Sequence, residues 1–534
     1  MRLICLLFLI ASLSGCYQNK ALTQNTLIYC TDSQPSSFNP QISDDIASLD
    51  ATTHQIFSRL VKIDSKTNEF VPDLAESWAR SDDKLRYRFT LRSNISFHST
   101  DYFKPTRYLN ADDVLFSFNR MLDVMHPYHT VNNQSVNYFY NHPFTNLLST
   151  INKIDEHTVE FVLSKPDVTL IANLAAHYAV IHSKEYSEQL LKEGHPEKID
   201  FQPIGTGPFK FKSFDNNGTI RYTKNSFYWQ SMTNIENLIF FTNPSATKRY
   251  TKLLSGECDA ISYPAASQLE TISQNKKITL NSKSTANISL WAFNTQQDKL
   301  KNAQVRQALA EAIDTETILH AVYFQSAIQT ETLLSKQSWA LKPRFDNDLF
   351  NPEHAQLTLQ SLNFDFSQTL HILLPDNADV FNPNFHKTAE LIQANLAAIG
   401  VKSRIDSLNE TALKNKLKSG DYDTYLTGIN VHINDPDSVF RPLLSCNSTP
   451  ETGNSSQWCS ANTQTLLDQS LTESNFAQRI KNYYHIQDEV FEQRPYLPIA
   501  HVLRLDAISK SISNVEVNPL TGINFQNAIK QDLN

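Results

Sequence analysis

The chain has 534 residues, a net charge of −8 and 40% hydrophobic residues. This length exceeds what one hydrophobic core usually supports, so two or more lobes are expected. The charges are dispersed without a basic tract, which excludes nucleic acid as the main partner. Only 11 glycines occur, which leaves little material for phosphate-binding loops.

The first 15 residues have the layout of a bacterial export signal. Arg2 precedes an apolar run over residues 3–10, which is too short to span a bilayer. Leu13-Ser14-Gly15-Cys16 resembles a lipoprotein box, in which the cysteine is lipidated and becomes the new N-terminus. We therefore predict export to the periplasm and a membrane anchor on Cys16. Ordinary cleavage near the same place is the alternative.

Four cysteines remain when Cys5 and Cys16 are set aside: Cys30, Cys258, Cys446 and Cys459. An even number in an oxidising compartment predicts disulfides, and arithmetic allows three pairings. The last two cysteines are close enough for a local loop, which leaves a long-range bridge for the first two. A zinc site needs short paired spacings such as C-x-x-C, and none occurs.

Patterns in the first part of the mature chain predict alternating strands and helices. A strand is predicted at 27–30 and a helix over 51–61. Strict alternation of apolar and polar residues over 84–92 predicts a half-buried strand. Asn110 is placed to cap a helix whose first turn holds Asp112 and Asp113 and whose apolar side is lined by Val114, Phe118 and Met121.

The middle of the chain contains Gly205-Thr206-Gly207, which superficially resembles a dinucleotide loop. The third glycine is absent and Pro208 stands where a helix should begin, so we predict a turn leading into a strand at 209–214. Alternation at 159–163 predicts another strand.

Helical spacing follows at 305–313 and at 385–399, with Gly400 at the stop position. Strands and helices interleave, which predicts a mixed α/β class.

The segment 420–459 is the strongest candidate for a ligand-binding wall. An apolar run at 422–429 leads into a turn rich in Asn, Asp and Pro at 430–437. Side-chain oxygens in such a turn are free to point at a ligand. We therefore expect Asp435 and Asp437 to be available to polar or cationic ligand groups.

Several separated motifs resemble the extracellular solute-binding proteins of peptide ABC transporters. They are PDLAESW (72–78), FTLR (89–92), NADDV (110–114), PIGTGPF (203–209), VRQAL (305–309) and AELIQA (389–394). Five further motifs resemble a subgroup of this family that is linked to resistance to antimicrobial peptides. They are TDYFKPTR (100–107), GECD (256–259), PAASQL (264–269), NDPD (434–437) and RPLLSC (441–446). Together the motifs cover essentially the whole mature chain.

The resemblance implies an α/β, two-lobed periplasmic-binding-protein fold of the large peptide-binding type. An extra α/β subdomain would lie on lobe I, and this topology requires the pairing of Cys30 with Cys258. The implied segments are the export signal 1–15, lobe I at 16–57, the extra subdomain at 58–206, lobe I at 207–285, lobe II at 286–502 and lobe I at 503–534.

The resemblance also implies a function. Such proteins are monomers that close two lobes on a peptide and deliver it to an inner-membrane permease. In dipeptide-binding relatives an Asp three residues before the Asp-Pro of this turn receives the ligand ammonium. An Arg three residues before an Asn-Pro-Asn receives the ligand carboxylate.

Both anchors differ in this chain. The Asp position is His432, the Arg position is Asp379 and the following Tyr position is Phe381. A carboxylate repels a ligand carboxylate that an Arg would bind in a bidentate manner, so free dipeptides are predicted to be poor ligands and longer or basic peptides better ones. The candidate ligand-binding residues are His432, Asn434, Asp435, Asp379, Phe381, Asn382 and Tyr138. The alternative is that they are loop residues facing water in a register shifted by one.

Other functions have less support in the sequence than peptide binding. An exported peptidase lacks support, since Gly-x-Ser-x-Gly and His-Glu-x-x-His are absent. No cofactor is predicted, although haem, ligated by His432 or a neighbouring His, is an alternative ligand. His126 and His129 flank Pro127 and are expected in a solvated loop rather than a metal site. Trp291, Phe293 and Trp339 could stack on a ligand, but the core is their expected place.

Overall fold

The computed structural model describes residues 25–64, 66–131, 147–343, 350–431 and 433–531. The predicted export signal, Cys16, Tyr138 and His432 lie outside the described residues. The chain divides into two compact units. Unit 1 comprises Met1–Ser282 and Leu505–Asn534, and unit 2 comprises Lys283–Arg504. The predicted lobe II, 286–502, falls within unit 2.

The strands are β1 (Thr26–Thr31), β2 (Val61–Ile63), β3 (Phe70–Pro72), β4 (Ala75–Arg80), β5 (Arg86–Leu91), β6 (Leu148–Asp155), β7 (Thr158–Leu163), β8 (Phe209–Phe214), β9 (Thr219–Lys224), β10 (Asn237–Thr242), β11 (Ala260–Ser262), β12 (Ile278–Phe293), β13 (Ala327–Gln329), β14 (Thr369–Pro375), β15 (Lys402–Leu408), β16 (Thr424–Ile429), β17 (Tyr496–Ser509), β18 (Ile512–Ser513), β19 (Glu516–Asn518), β20 (Gly522–Asn524) and β21 (Ile529–Lys530). The chain passes between the units within β12 and again within β17.

The α-helices are α1 (Ile46–Thr52), α2 (Ala111–Leu122), α3 (Leu170–Leu174), α4 (Lys184–Glu193), α5 (Ala246–Ser255), α6 (Leu269–Gln274), α7 (Ala303–Glu311), α8 (Thr315–Ile318), α9 (Pro352–Ser361), α10 (Phe385–Ala398), α11 (Glu410–Ser419), α12 (Asp437–Leu444), α13 (Ala461–Thr472) and α14 (Phe476–Gln493). In the described ranges, no helix has both the length and the apolar character needed to span a bilayer.

The main sheet of unit 1 is built around β1. This strand lies between β10 and β11 and runs parallel to both, and β9 and β8 continue the sheet beyond β10. Leu27 and Tyr29 of β1 are fully buried beside Leu238 and Phe240 of β10. A disulfide joins Cys30 of β1 to Cys258, which lies 228 residues away in sequence. The bridge ties β1 to the segment that leads into β11.

A separate antiparallel sheet in unit 1, ordered β4-β5-β7-β6, lies within the predicted subdomain segment 58–206. The alternation predicted for 84–92 is confirmed in β5, where Tyr87, Phe89 and Leu91 are buried. The strand predicted at 159–163 is β7. Helix α2 begins at Asn110 as predicted: the Asn110 side chain accepts from Asp112 N at 3.1 Å, and the Asp113 carboxylate accepts from Asn110 N at 3.0 Å.

The helix predicted over 51–61 is wrong. Helix α1 ends at Thr52, and Val61 begins β2. The apolar residues that suggested the helix are buried, but the backbone carbonyls between them bond to a distant segment of the chain. The carbonyls of Gln55 and Ile56 accept hydrogen bonds from Phe209 and Gly207, at 2.9 and 2.8 Å. Tertiary pairing with the 205–209 turn therefore replaces helical bonds in this segment.

The two glycines of the 205–207 turn are needed because of this close approach. A Cβ on Gly205 would lie 2.1 Å from the carbonyl oxygen of Ile56, and one on Gly207 would lie 2.6 Å from that of Gln55. The turn also encloses His98, whose Nε2 donates to Gly207 O at 2.9 Å and whose Nδ1 accepts from Gly205 N at 3.4 Å. The motif is a packing turn that leads into β8, as predicted.

The enclosure of His98 predicts a dependence of stability on pH. Burial lowers the pKa of His98 to about 4, against about 6.5 in an unfolded chain. The folded state therefore holds fewer protons, so its stability is complete above pH 6.5 and falls as the pH drops toward 4. From pH 7.5 to pH 5 we expect this residue to lower the free energy of unfolding by about 2 kcal/mol.

Urea unfolding at the two pH values checks this expectation. His98→Gln keeps a donor for Gly207 but cannot be protonated, so its loss between pH 7.5 and pH 5 should be smaller by about 2 kcal/mol. Exposed His386 supplies the control, and His386→Gln should keep the full loss. Equal losses in the two variants would contradict the assignment.

Unit 2 is built on a sheet ordered β15-β14-β16-β12-β17, with β13 paired to β17. Strand β14 is parallel to both β15 and β16, while β16 and β12 are antiparallel. Helices α7 and α10 occupy the predicted positions, and α10 ends before Gly400, which has a φ of 83°. Their apolar faces pack in one core with Trp291 and Phe293 of β12.

Candidate functional site

The segment 420–459 in unit 2 has the architecture of a strand, a turn and a stapled helix. Gly420 ends α11 in the left-handed region, with a φ of 68°. Strand β16 then runs between β12 and β14, and the turn that follows leads into α12. A disulfide between Cys446 and Cys459 closes the loop after α12. The polar turn therefore projects from the end of a buried strand.

Asp435 in this turn does not have the role predicted for it. Its two carboxylate oxygens accept from Nη1 and Nη2 of Arg479 at 2.7 and 2.8 Å. Both side chains are almost fully buried, at 5% and 8% exposure. Burial acts to lower the pKa of Arg479, but the Asp435 charge outweighs it and the pKa is raised. The carboxylate is consumed by a structural ion pair and is not available to a ligand.

Asp437 is likewise engaged. Its carboxylate accepts from Nε and Nη2 of Arg441 at 2.8 and 3.0 Å within α12. Arg441 also donates to Asp468 at 3.0 Å, which links α12 to α13. Asn434 lies half-buried in the same turn. The expectation that both aspartates remain open to cationic groups is therefore corrected: each balances an arginine that fixes the turn.

The second predicted cluster, at 379–384, forms a tight turn before α10. Asp379 and Asn382 exchange backbone hydrogen bonds at 3.0 and 3.1 Å. Asn382 is fully buried, and its side chain donates to Thr388 at 3.1 Å while accepting from Asn384 N at 2.9 Å. Asn382 thus shapes the helix start, and its side chain is buried and engaged within the chain. The Asp379 side chain is exposed at the rim of the turn.

Phe381 joins the two predicted clusters. Its ring covers Gly428 near the end of β16, where an added Cβ would lie 2.2 Å from the ring and 2.4 Å from Ile288 O. Its carbonyl accepts from the Tyr323 hydroxyl at 3.0 Å. The structure therefore brings the 379–384 turn against β16, with Phe381 half-buried between them. Of the predicted residues described, Asp379, Phe381 and Asn434 remain accessible.

This contact predicts the effect of a minimal substitution. Gly428→Ala should lower the free energy of unfolding by about 1–3 kcal/mol, because the new methyl group overpacks the site. Phe381→Leu in the same chain should recover only part of the loss, since the Ile288 carbonyl remains in the way. Urea unfolding of the two variants checks this, with Gly256→Ala as a control at a glycine with open space around it. Because Gly256 has a φ of 77°, that control carries only the backbone cost.

The burial of the aromatic and histidine candidates shows where each of them lies. Trp291 and Phe293 are fully buried, so their expected place in the core is confirmed. Trp339 is half-buried and packs on Phe476, with ring centroids 4.7 Å apart. His129 is buried and its Nδ1 bonds the Arg120 carbonyl at 2.9 Å. Within the described ranges, no group of three or more His, Cys, Asp or Glu side chains is arranged to hold a metal.

Arg479 is the important residue that the sequence interpretation missed. It lies on the buried face of α14, together with Tyr483, Ile486 and Val490. When a charged residue lies on the same face of a helix as apolar residues, it becomes buried and requires a partner of opposite charge. That signal was present in the sequence, but it does not say which acidic residue is the partner.

The chain is similar in sequence to a known protein family and to proteins of known function. Residues 69–451 match the family described as "Bacterial extracellular solute-binding proteins, family 5 Middle". The chain is 36% identical to the peptide transport periplasmic protein SapA of Salmonella typhimurium over 502 residues, covering 93% of this chain and 90% of that protein. It is 33% identical to the dipeptide-binding protein of Escherichia coli, covering 94% of each.

A solved structure shows the same fold. HbpA2 from Haemophilus parasuis superposes with a TM-score of 0.90 at 34% identity, covering 95% of this chain and 100% of that one. The predicted α/β, two-lobed periplasmic-binding-protein fold is confirmed by this match. These findings also confirm the predicted resemblance, and they exclude the peptidase alternative because the family binds solutes. The chain therefore belongs to the bacterial extracellular solute-binding proteins of family 5 and is a binding protein, not an enzyme.

Proposed function

We propose that this protein is the periplasmic substrate-binding component of a peptide ABC transporter. The observation that carries the proposal is 36% identity, over 93% of the chain, to a protein named for peptide transport in the periplasm. The 33% identity to a dipeptide-binding protein supports the same ligand class. The captured peptide is handed to the permease subunits of the transporter, and the binding protein acts as a monomer.

The ligand is a peptide longer than a dipeptide, with a preference for basic residues. Asp379 carries an exposed carboxylate at the position where the resemblance to dipeptide-binding proteins implies an arginine for the ligand carboxylate. A carboxylate at that position repels a free C-terminus and attracts lysine or arginine side chains. Asp379 is the described candidate whose carboxylate is exposed, whereas the carboxylates of Asp435 and Asp437 are buried in pairs with arginines.

Phe381 supports the same assignment. A phenylalanine ring has no hydroxyl with which to fix a ligand carboxylate, and this one is partly occupied in covering Gly428. A site without terminal anchors binds a peptide through its backbone and tolerates varied side chains and lengths. This permissive mode fits peptides whose ends extend beyond the site. Antimicrobial cationic peptides belong to that class, and resistance to them is the biological role we propose.

The anchor is the second part of the proposal. Cys16 follows a short apolar run and small residues, and lipid on this cysteine would keep the protein at a membrane surface near its permease. Intact mass measurement of the protein from its native membrane should show a chain beginning at Cys16 and carrying acyl groups. A chain beginning nearby with a free thiol would establish ordinary cleavage instead.

The ligand is tested directly by what accompanies the protein. A chain beginning at residue 17, exported by a cleavable signal, should co-purify with peptide fragments enriched in lysine and arginine, identified by mass spectrometry. Dipeptides alone would contradict the proposal. An absorbance band near 400 nm instead of peptides would identify haem as the ligand.

A further inference from the structure

Unit 1 contains a polar cavity of about 310 Å³. Its walls come from residues 54–59, from the β2–β3 hairpin with Asp73, from residues 228–231 and from the C-terminal segment with β19 and β20. No lining residue belongs to the 379–384 turn or to the 420–459 segment. The cavity is therefore separate from the candidate peptide site.

Arg59 is the central residue of this cavity. Its side chain lines the wall, and the residue is only 3% exposed. Within the described part of the chain, its Nε and Nη1 atoms have no hydrogen-bond acceptor. A buried guanidinium without an acceptor is costly, because its lost hydration is not replaced. An acceptor from outside the chain would replace that lost hydration.

The nearby carboxylate of Asp73 does not fill this role. Its Oδ2 accepts from the backbone N–H of Arg59 at 2.9 Å, and its Oδ1 accepts from Gln230 Nε2 at 3.0 Å. Gln230 in turn accepts from Gln526 at 3.3 Å, and Gln526 accepts from the Tyr228 hydroxyl at 3.3 Å. This chain of donors runs from Tyr228 to Asp73, so both carboxylate oxygens are used by N–H groups other than the guanidinium, although the Asp73 charge acts on Arg59 and favours its charged form.

Two asparagines add neutral donors to the cavity. Asn518 accepts from Leu520 N at 2.8 Å, and Asn524 accepts from Gln526 N at 2.9 Å, both through Oδ1. Each amide oxygen is therefore used inside its own turn. In the ranges that the structure describes, neither NH₂ group has an acceptor. Both residues line the cavity, so their donors are available to a ligand.

The charged residues around the cavity balance in number, but they differ in how far their hydrogen-bonding groups are already used. Lys62, half-buried on β2, and exposed Lys66 line it together with Arg59. Of the other carboxylates, Asp64 is held by its own turn, where it accepts from Lys66 N and Thr67 N at 2.9 Å each. Glu516 is the remaining lining carboxylate. Three cations and three carboxylates therefore line the cavity, but Asp64 and Asp73 already accept from backbone or amide N–H groups, so hydrogen-bond donors are in excess.

We propose that this cavity binds a small organic anion through a carboxylate or phosphate group. Arg59 and Lys62 supply the charged donors, and Asn518 and Asn524 supply the neutral ones. The planar guanidinium matches the two oxygens of such a group. The volume is at the lower end of the range for small-molecule sites, about 300–1,000 Å³. The site is a second, non-peptide site on the same protein.

Calorimetric titration of the mature chain tests the proposal. Inorganic phosphate and malonate are titrated separately against the folded protein, with ionic strength held constant by sodium chloride. At least one of the two should bind saturably, and the stronger one identifies phosphate or carboxylate as the recognised group. Lys62→Ala and Asn518→Ala should each weaken that binding, by about tenfold for the charged donor. Arg59→Gln should abolish it.

The matched control is Lys276→Ala, which removes an exposed lysine of unit 1 outside the cavity. It should bind the anion as the unaltered chain does. Absence of saturable binding for both probes would overturn the proposal, and so would equal binding in the Lys62, Asn518 and Lys276 variants. If Arg59→Gln does not fold, the Lys62 and Asn518 variants decide the outcome. Peptide binding should be unchanged in those variants, which separates this test from that of the peptide function.

Discussion

Asp435→Asn should lower the free energy of unfolding by about 3–5 kcal/mol, because it leaves the buried guanidinium of Arg479 without a counter-charge. Both partners are almost fully buried, and the pair is bidentate. Arg479 also lies over the rings of Trp339 and Tyr483, at 5.1 and 5.5 Å from their centroids. The loss should therefore loosen α14 as well as the turn.

Urea unfolding monitored by tryptophan fluorescence measures this effect. Glu410→Gln provides the control, since it breaks the exposed pair between Glu410 and Lys414 and should leave the free energy of unfolding nearly unchanged. A change for Asp435→Asn as small as the control would contradict the structural role. Loss of peptide binding without loss of stability would return Asp435 to the ligand-binding residues.

Removal of the Cys30–Cys258 disulfide should have an effect of similar or greater size. The bridge closes a loop of 228 residues, for which the chain-entropy estimate is about 5 kcal/mol. The Cys446–Cys459 bridge closes a separation of 13 residues, for which the estimate is about 3 kcal/mol. The long bridge also holds β1 at the centre of the unit 1 sheet, so its loss affects the strand on which that sheet is built.

The measurement compares two double variants, Cys30→Ser with Cys258→Ser and Cys446→Ser with Cys459→Ser. Thermal and urea unfolding of each, with the other bridge intact, should rank the first variant below the second. Equal stability of the two, or a first variant as stable as the unaltered chain, would contradict the prediction. Because each variant replaces both cysteines of a bridge, neither leaves one partner as an unpaired thiol. Exchange with the remaining bridge is thereby avoided.

The sequence predicted those features whose determinants are local. The alternation over 84–92 and the capping box at Asn110 depend on neighbours a few residues away, and both are confirmed in β5 and α2. The helix over 51–61 was wrong because distant backbone groups at 207 and 209 take its carbonyls. Local periodicity carries no information on such a partner.

The candidate site shows the same limit. The motif before Asp435 located a turn, but not the arginine 44 residues further on that neutralises the carboxylate. The place of Asn382 in a motif predicts a ligand residue, whereas in the structure its side chain bonds at the start of α10. The roles predicted for Asp379 and Phe381 depend on the register of a short turn. In the structure both residues lie in that turn, and Asp379 is exposed.

The central claim is that the protein binds peptides without fixing their ends as a dipeptide site does. The decisive measurement is calorimetry on ligand-free mature chain with two ligands, a basic peptide of six residues and a dipeptide of alanine. We predict saturable binding of the basic peptide and binding of the dipeptide that is weaker by at least about tenfold, which corresponds to about 1.4 kcal/mol. Tight binding of the dipeptide with none of the longer peptide would contradict the claim.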